Sequence, residues 1–123
     1  MNQAEFRIAV QSDGIGLFAK VTLSASLTDT QNGLQIICES IYGTQWLAAV
    51  EFGIRYAYEQ TFHHRKPFKG LIVRIDEIAG NVLETREIAM VYVSAMAVYK
   101  ALEIHPEELP EFDRTTRIFT FPE

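Results

Sequence analysis

Apolar and polar residues alternate through the first third of the chain. Phe6, Ile8 and Val10 interleave with Arg7, Ala9 and Gln11, the period of a half-buried strand. Ser12-Asp13-Gly14-Ile15-Gly16 predicts a tight reversal, because Asp-Gly supplies the positive φ that one needs. Leu17, Ala19, Val21, Leu23, Ala25 and Leu27 then recur with period two, with Lys20, Thr22, Ser24 and Ser26 between them, so a long strand with one wet and one dry face is expected. Thr28 to Gly33 ends in Asn-Gly and predicts a second reversal. Leu34 to Glu39 follows as a third strand, with Ile36 and Cys38 on one face. Hairpin connections would make these three strands an antiparallel meander.

At Tyr42-Gly43-Thr44 the spacing changes. Trp46, Leu47, Val50, Gly53, Ile54, Ala57 and Tyr58 recur at three and four, which predicts a helix from about Gln45 to Phe62 with Thr44 as its cap. Glu51 with Arg55, and Arg55 with Glu59, form i,i+4 pairs on its wet side. Gly53 costs this helix ~1 kcal/mol relative to alanine, a cost explained if that turn packs closely on the sheet. Leu71, Val73 and Ile75 alternate with Ile72, Arg74 and Asp76 and predict a fourth strand to about Ile78, followed by a turn at Ala79-Gly80-Asn81. Thr85 is placed to cap a second helix, from about Arg86 to Glu103, with Glu87 favoured at its positive end. Pro106 and Pro110 keep the next segment out of a helix, and Arg117 to Phe121 has the apolar content of a short late strand.

Three strands, a helix, a strand and a helix give an α/β (α+β) two-layer sandwich in β-β-β-α-β-α order. Both helices would pack on one face of a mainly antiparallel sheet. Residues 1–123 are expected to form a single domain. Residues 105–123 are a C-terminal arm or extra strand, which either wraps its own domain, the preferred reading, or pairs along a neighbour's exposed edge.

Composition narrows the function classes. The chain has 123 residues and a net charge of −5, which disfavours general coating of DNA or RNA and any DNA partner. The single Cys38 permits no internal disulfide, and the start Met1-Asn2-Gln3-Ala4-Glu5 lacks the basic and apolar run of a signal peptide, so a cytoplasmic location is expected. The longest uncharged stretch, Ile88 to Tyr99, is too short to cross a bilayer, so no membrane partner is expected. That stretch carries no charge around three helical turns. One side, Val91, Ala95, Val98 and Leu102, can pack on the sheet, while Met90, Val93 and Ala97 then need cover. The first helix and the C-terminal arm are candidates, and a partner subunit is the third. Met90, Val93 and Ala97 are therefore candidate interface residues in a homo-oligomer.

The element order resembles the ribosomal protein S5 domain 2-like fold. The stretch from Trp46 through Leu102 also resembles the fourth domain of translation elongation factor G. The likeness lies in Ala49-Val50-Glu51-Phe52-Gly53-Ile54, Gly70-Leu71-Ile72-Val73-Arg74-Ile75, Glu84-Thr85-Arg86-Glu87 and the alanine-rich helix ending near Ala101. It implies a helix, a strand, a short loop and a second helix there, with a left-handed crossover, and a role in RNA or ribosome binding. The chain contains no GxxxxGK[ST] phosphate loop.

His63, His64, Arg65, Lys66, Phe68 and Lys69 form the most distinctive polar cluster. The cations could clamp a phosphate or an acidic partner and Phe68 could stack on a base, although cations are also welcome at any helix C-terminus. Adjacent histidines do not share a helix face, so no metal is implied, and nothing marks a cofactor site. Asp76 and Glu77, as strand neighbours, would point to opposite faces and make no catalytic pair; Glu84 could meet either. Cys38 reads as a buried small hydrophobe. Ser12 to Gly16 lacks the third glycine and following helix of a phosphate-binding loop. No catalytic residue stands out. The favoured function is a small non-enzymatic binding or assembly protein that self-associates. The alternatives are an RNA- or ribosome-binding module and an enzyme whose site is assembled from separated loops.

Overall fold

A computed structural model describes residues 2–12, 14–29, 32–62 and 70–122. The period-two segments form β1 (Asn2–Ser12), β2 (Ile15–Thr28), β3 (Gly33–Cys38) and β4 (Gly70–Ala79). The segments of helical period form α1 (Leu47–Phe62) and α2 (Glu87–Leu102), and two short strands follow, β5 (Glu111–Phe112) and β6 (Phe119–Thr120). The result is the expected α+β two-layer sandwich, with a four-stranded mixed sheet and two helices.

Alternation becomes burial directly. On β1, Ala4 and Ile8 are buried while Gln3, Glu5 and Arg7 are exposed; on β2, Leu17, Ala19, Val21, Leu23 and Ala25 make the dry row. β1 and β2 pair antiparallel from Asn2↔Ala25 to Ser12↔Ile15.

The meander does not continue. Strand order in the sheet is β1-β2-β4-β3, so β4 lies between β2 and β3. It runs antiparallel to β2 and parallel to β3, from Gly33↔Gly70 to Cys38↔Ile75. Composition explains the insertion. β4 carries the most apolar run of the four, with Leu71, Val73, Ile75 and Ile78 all buried, and a central position covers it on both edges. β3 leaves Gln35, Ile37 and Cys38 exposed and takes the edge. A parallel β3–β4 pair needs a crossover, which α1 supplies. Cys38 is accordingly exposed at the end of an edge strand, and the buried-hydrophobe expectation is corrected.

β4 also carries a bulge. Thr22 pairs with Glu77 and Leu23 with Ile75, which leaves Asp76 without a partner. The extra residue shifts the phase, so Ile75 and Ile78 both face the core. Asp76 and Glu77 then share the outer face instead of pointing to opposite faces, because strict alternation ends at the bulge.

α2 is surrounded. α1 closes on it at Gly53, where a Cβ would lie 2.3 Å from the Val91 carbonyl oxygen and 2.9 Å from Ser94 Cβ. The glycine thus serves helix–helix contact, not contact with the sheet. The C-terminal arm folds back along the same helix. Tyr92 meets the rings of Phe119 at 5.3 Å, Phe6 at 5.8 Å and Phe112 at 6.3 Å, and the Tyr56 hydroxyl donates to the Pro122 carbonyl. Met90, Val93 and Ala97 are each 0% exposed, so the proposal of a subunit interface there is corrected: the chain's own elements cover that side of α2.

Both expected caps work differently. Gly43, at φ 76°, precedes a 3-10 turn (Thr44–Trp46) that leads into α1, and no side chain caps that turn. Thr85 instead ties the turn before α2 to β2, donating to the Phe18 carbonyl and accepting from the Asn81 amide.

Candidate functional site

Two regions stand out as candidate sites. The first is a polar network on the face of the sheet away from the helices. The bulge aims the Asp76 carboxylate at Ser24, whose hydroxyl donates to it at 2.7 Å; Arg74 Nε donates at 2.7 Å and Gln3 Nε2 at 3.2 Å. Arg74 Nη2 also reaches Ser24 Oγ at 3.2 Å. Burial pushes the Asp76 carboxyl up, and the donors Ser24, Arg74 and Gln3 together outweigh it, leaving the group below its ordinary value. Beside this network the Lys20 ammonium bridges Glu77 at 2.8 Å and Glu5 at 3.3 Å, and those two acceptors raise its pKa. A carboxylate held ionised by three donors is a poor general base, and its lone pairs are already engaged. The network tethers β1, β2 and β4 to one another; it does not assemble a reactive centre.

The second region is the end of the sandwich where β3 and β4 finish and β2 begins. Parallel β3 and β4 bring loops 39–46 and 80–86 to the same end, and both helices start there. Each loop is braced. Ser40 Oγ donates to the Tyr42 carbonyl at 2.6 Å and accepts from the Ile78 amide at 3.2 Å. Gly43 lies so close to Ile78 that an added Cβ would stand 2.4 Å from its carbonyl oxygen. In the second loop Asn81 Oδ1 accepts from the amides of Leu83 and Glu84, and Phe18 N donates to the Glu84 carbonyl at 2.9 Å.

These braces hold large apolar side chains out in solvent. Ile41 is 82% exposed, Tyr42 80%, Val82 84% and Leu83 92%. A depression of about 530 Å³ lies beside them, lined by Phe18, Ser40, Tyr42, Trp46, Asp76 and Gly80 among others. On the helix side of the same end, Phe52 and Ile88 flank a shallower apolar depression of about 430 Å³. Scattered exposed apolar residues are ordinary; apolar doublets on two braced loops at one end are not. Sequence reasoning missed this end. Its signal was present as Ile41-Tyr42 and Val82-Leu83, apolar pairs inside segments that otherwise read as turns.

The basic cluster of His63, His64, Arg65, Lys66, Phe68 and Lys69 lies outside the described residues. Among the described residues, no group of three or more His, Cys, Asp or Glu side chains could hold a metal ion. No described helix is long and apolar enough to cross a membrane.

No protein-family model matches the chain, and no curated protein matches it. Among solved structures it is similar to a protein from Thermus thermophilus, with a TM-score of 0.65 and 17% sequence identity. The match covers 85% of this chain and 16% of that one, so the chain spans about one sixth of that relative's length. At this identity the likeness establishes the fold alone.

Proposed function

We propose that the chain is a non-enzymatic binding or assembly protein that works by protein–protein contact through the end bearing loops 39–46 and 80–86. The observation that carries this reading is the exposure of Ile41, Tyr42, Val82 and Leu83 on two braced loops. An interface core is built of such side chains, and bracing lowers the entropy lost on docking. Tyr42 supplies an aromatic anchor of the type that dominates binding energy. The test places a photo-crosslinking residue at Tyr42 in cells expressing the chain. Discrete protein adducts are expected, and they are expected to fall away in the Ile41→Ser/Leu83→Ser variant. Absence of adducts, or adducts indifferent to that variant, would refute the reading.

A second reading is an RNA- or ribosome-binding module related to the fourth domain of elongation factor G. The order of strands and helices supports it, together with the resemblance across residues 46–102. It requires salt-sensitive RNA binding that weakens when Arg65, Lys66 and Lys69 are neutralised. Binding that ignores salt, or none at all, removes it.

A further inference from the structure

We infer that the free edge of β1 pairs antiparallel with β1 of a second copy, about a two-fold axis at Phe6, joining the two sheets into one twice as wide. The inference concerns self-association and needs no contribution from the loop end described above.

β1 is an edge strand eleven residues long, and its outer side pairs with no other described strand. Edge strands in soluble proteins are usually short, bulged or broken by proline, and β1 pairs with β2 without interruption from Asn2 to Ser12 and contains no proline. The direction of its unpaired groups follows from one contact. Lys100 Nζ donates to the Glu5 carbonyl at 3.0 Å from outside the sheet, so Glu5 presents its backbone groups to the free edge. In an antiparallel ladder the amide and carbonyl of one residue point the same way and alternate along the strand. Gln3, Glu5, Arg7, Ala9 and Gln11 therefore face a partner strand, and only registers that pair odd residues with odd residues can form.

Charge selects among those registers. Centring on Glu5 sets two carboxylates against each other, and centring on Arg7 sets two guanidinium groups together. Centring on Phe6 sets Glu5 opposite the partner's Arg7 and Arg7 opposite the partner's Glu5, two ion pairs from one strand sequence. Arg7 is exposed and has no ion-pair partner among the described residues, which fits a side chain awaiting one. On the helix side the same register brings the half-buried Phe6 ring against its copy. A depression of about 610 Å³ lies beside it, lined by Phe6, Met96, Tyr99 and Leu109 among others, with Leu109 41% exposed. Such an interface is isologous and closes at two copies. The Lys100 head group has to leave the Glu5 carbonyl, which a long surface side chain does readily. It serves meanwhile as the edge's guard against wrong partners.

The test is sedimentation of the full chain and of charge-swapped variants. Wild type is expected to be a dimer. Glu5→Arg alone and Arg7→Glu alone each set like charges in opposition twice and should weaken the dimer about tenfold. The double variant restores opposite charges in the same register and should recover most of that loss. Glu5→Arg also disturbs the contact with Lys20, equally in the single and the double variant, so the difference between them isolates the interface. Ala9→Pro removes an outward amide while leaving the β1–β2 ladder intact, and should weaken the dimer without unfolding the chain, as circular dichroism would verify. A monomeric wild type overturns the inference and leaves the Tyr42 crosslinking result to decide the loop-end reading. So does a dimer that the double variant fails to rescue, or one that survives Ala9→Pro and dissociates in Ile41→Ser/Leu83→Ser.

Discussion

Replacing Gly53 by alanine separates two opposed effects. As an isolated helix substitution it should stabilise, because alanine is favoured over glycine by ~1 kcal/mol in a helix interior. At this position the new Cβ would stand 2.3 Å from the Val91 carbonyl oxygen, 2.9 Å from Ser94 Cβ and 3.1 Å from the Val91 carbonyl carbon. An ordinary carbon–oxygen contact is roughly 3.3 Å or longer, so α1 and α2 must move apart by ~1 Å at their crossing. The nearest atom is a backbone oxygen and the Ser94 Cβ is fixed by its own backbone, so no side-chain rotation relieves the contact. A gap of ~1 Å forfeits up to about half of each dispersion contact it opens, and overpacking of a close-packed core typically costs ~1–3 kcal/mol. Val50, Ile54 and Ala57, beside Gly53 on α1, are all fully buried, so the surroundings have no slack to absorb the shift, which places the cost near the top of that range. Subtracting the helix-propensity gain leaves Gly53→Ala less stable by ~2 kcal/mol, or ~8 °C in Tm for a chain of this size. Urea denaturation followed by circular dichroism reads the difference directly. A variant as stable as wild type, or more so, would refute close helix packing as the reason for the glycine, since propensity and packing predict opposite signs.

Asp76→Asn is expected to lower stability by ~1–2 kcal/mol at neutral pH, through loss of charge-assisted hydrogen bonds from Ser24 and Arg74. The folded-state pKa of Asp76 is depressed, so its contribution is complete above the ordinary carboxylate pKa of ~4 and is lost as pH falls through the folded value; the gap between variant and wild type should close in acid, as denaturation at several pH values will measure. Phe119→Ala removes the ring between Tyr92, Phe112 and Arg86 and should loosen the arm by ~1–2 kcal/mol; limited proteolysis should then cut first within residues 104–122 while the sheet and helices stay intact. Lys20→Met breaks two partly exposed ion pairs and should change stability by less than ~1 kcal/mol, as thermal denaturation will test.

Local pattern was sufficient for the four long strands and both helices. The dry row Leu17 to Ala25 and the three–four spacing of Val50, Ile54 and Ala57 are periodicities of one segment, and burial follows them, with Ser24 the one residue of the wet row that is also buried. Helix and strand boundaries fall within a few residues of those the spacing predicts, and the fold class follows from their order. Long-range choices were not written in any one segment. Asn32-Gly33 signals a reversal, but a reversal does not say that β4 will separate the strands on either side of it; that depends on which strand gains most from a central place. The bulge at Asp76 appears only when β4 is laid against β2, and it alone puts Asp76 and Glu77 on one face. Cys38 is exposed because its strand is an edge, Met90, Val93 and Ala97 are fully covered within the chain's own fold, and at other positions of the same helix Gly53 admits α1 against Val91 and Ser94 while Tyr92 anchors the arm. An uncharged helix signals that every side must be covered. Whether the cover comes from the same chain or another is a matter of distances between segments far apart in sequence. Periodicity is a property of neighbours along the chain, whereas partnership is decided by competition for burial among all the segments at once.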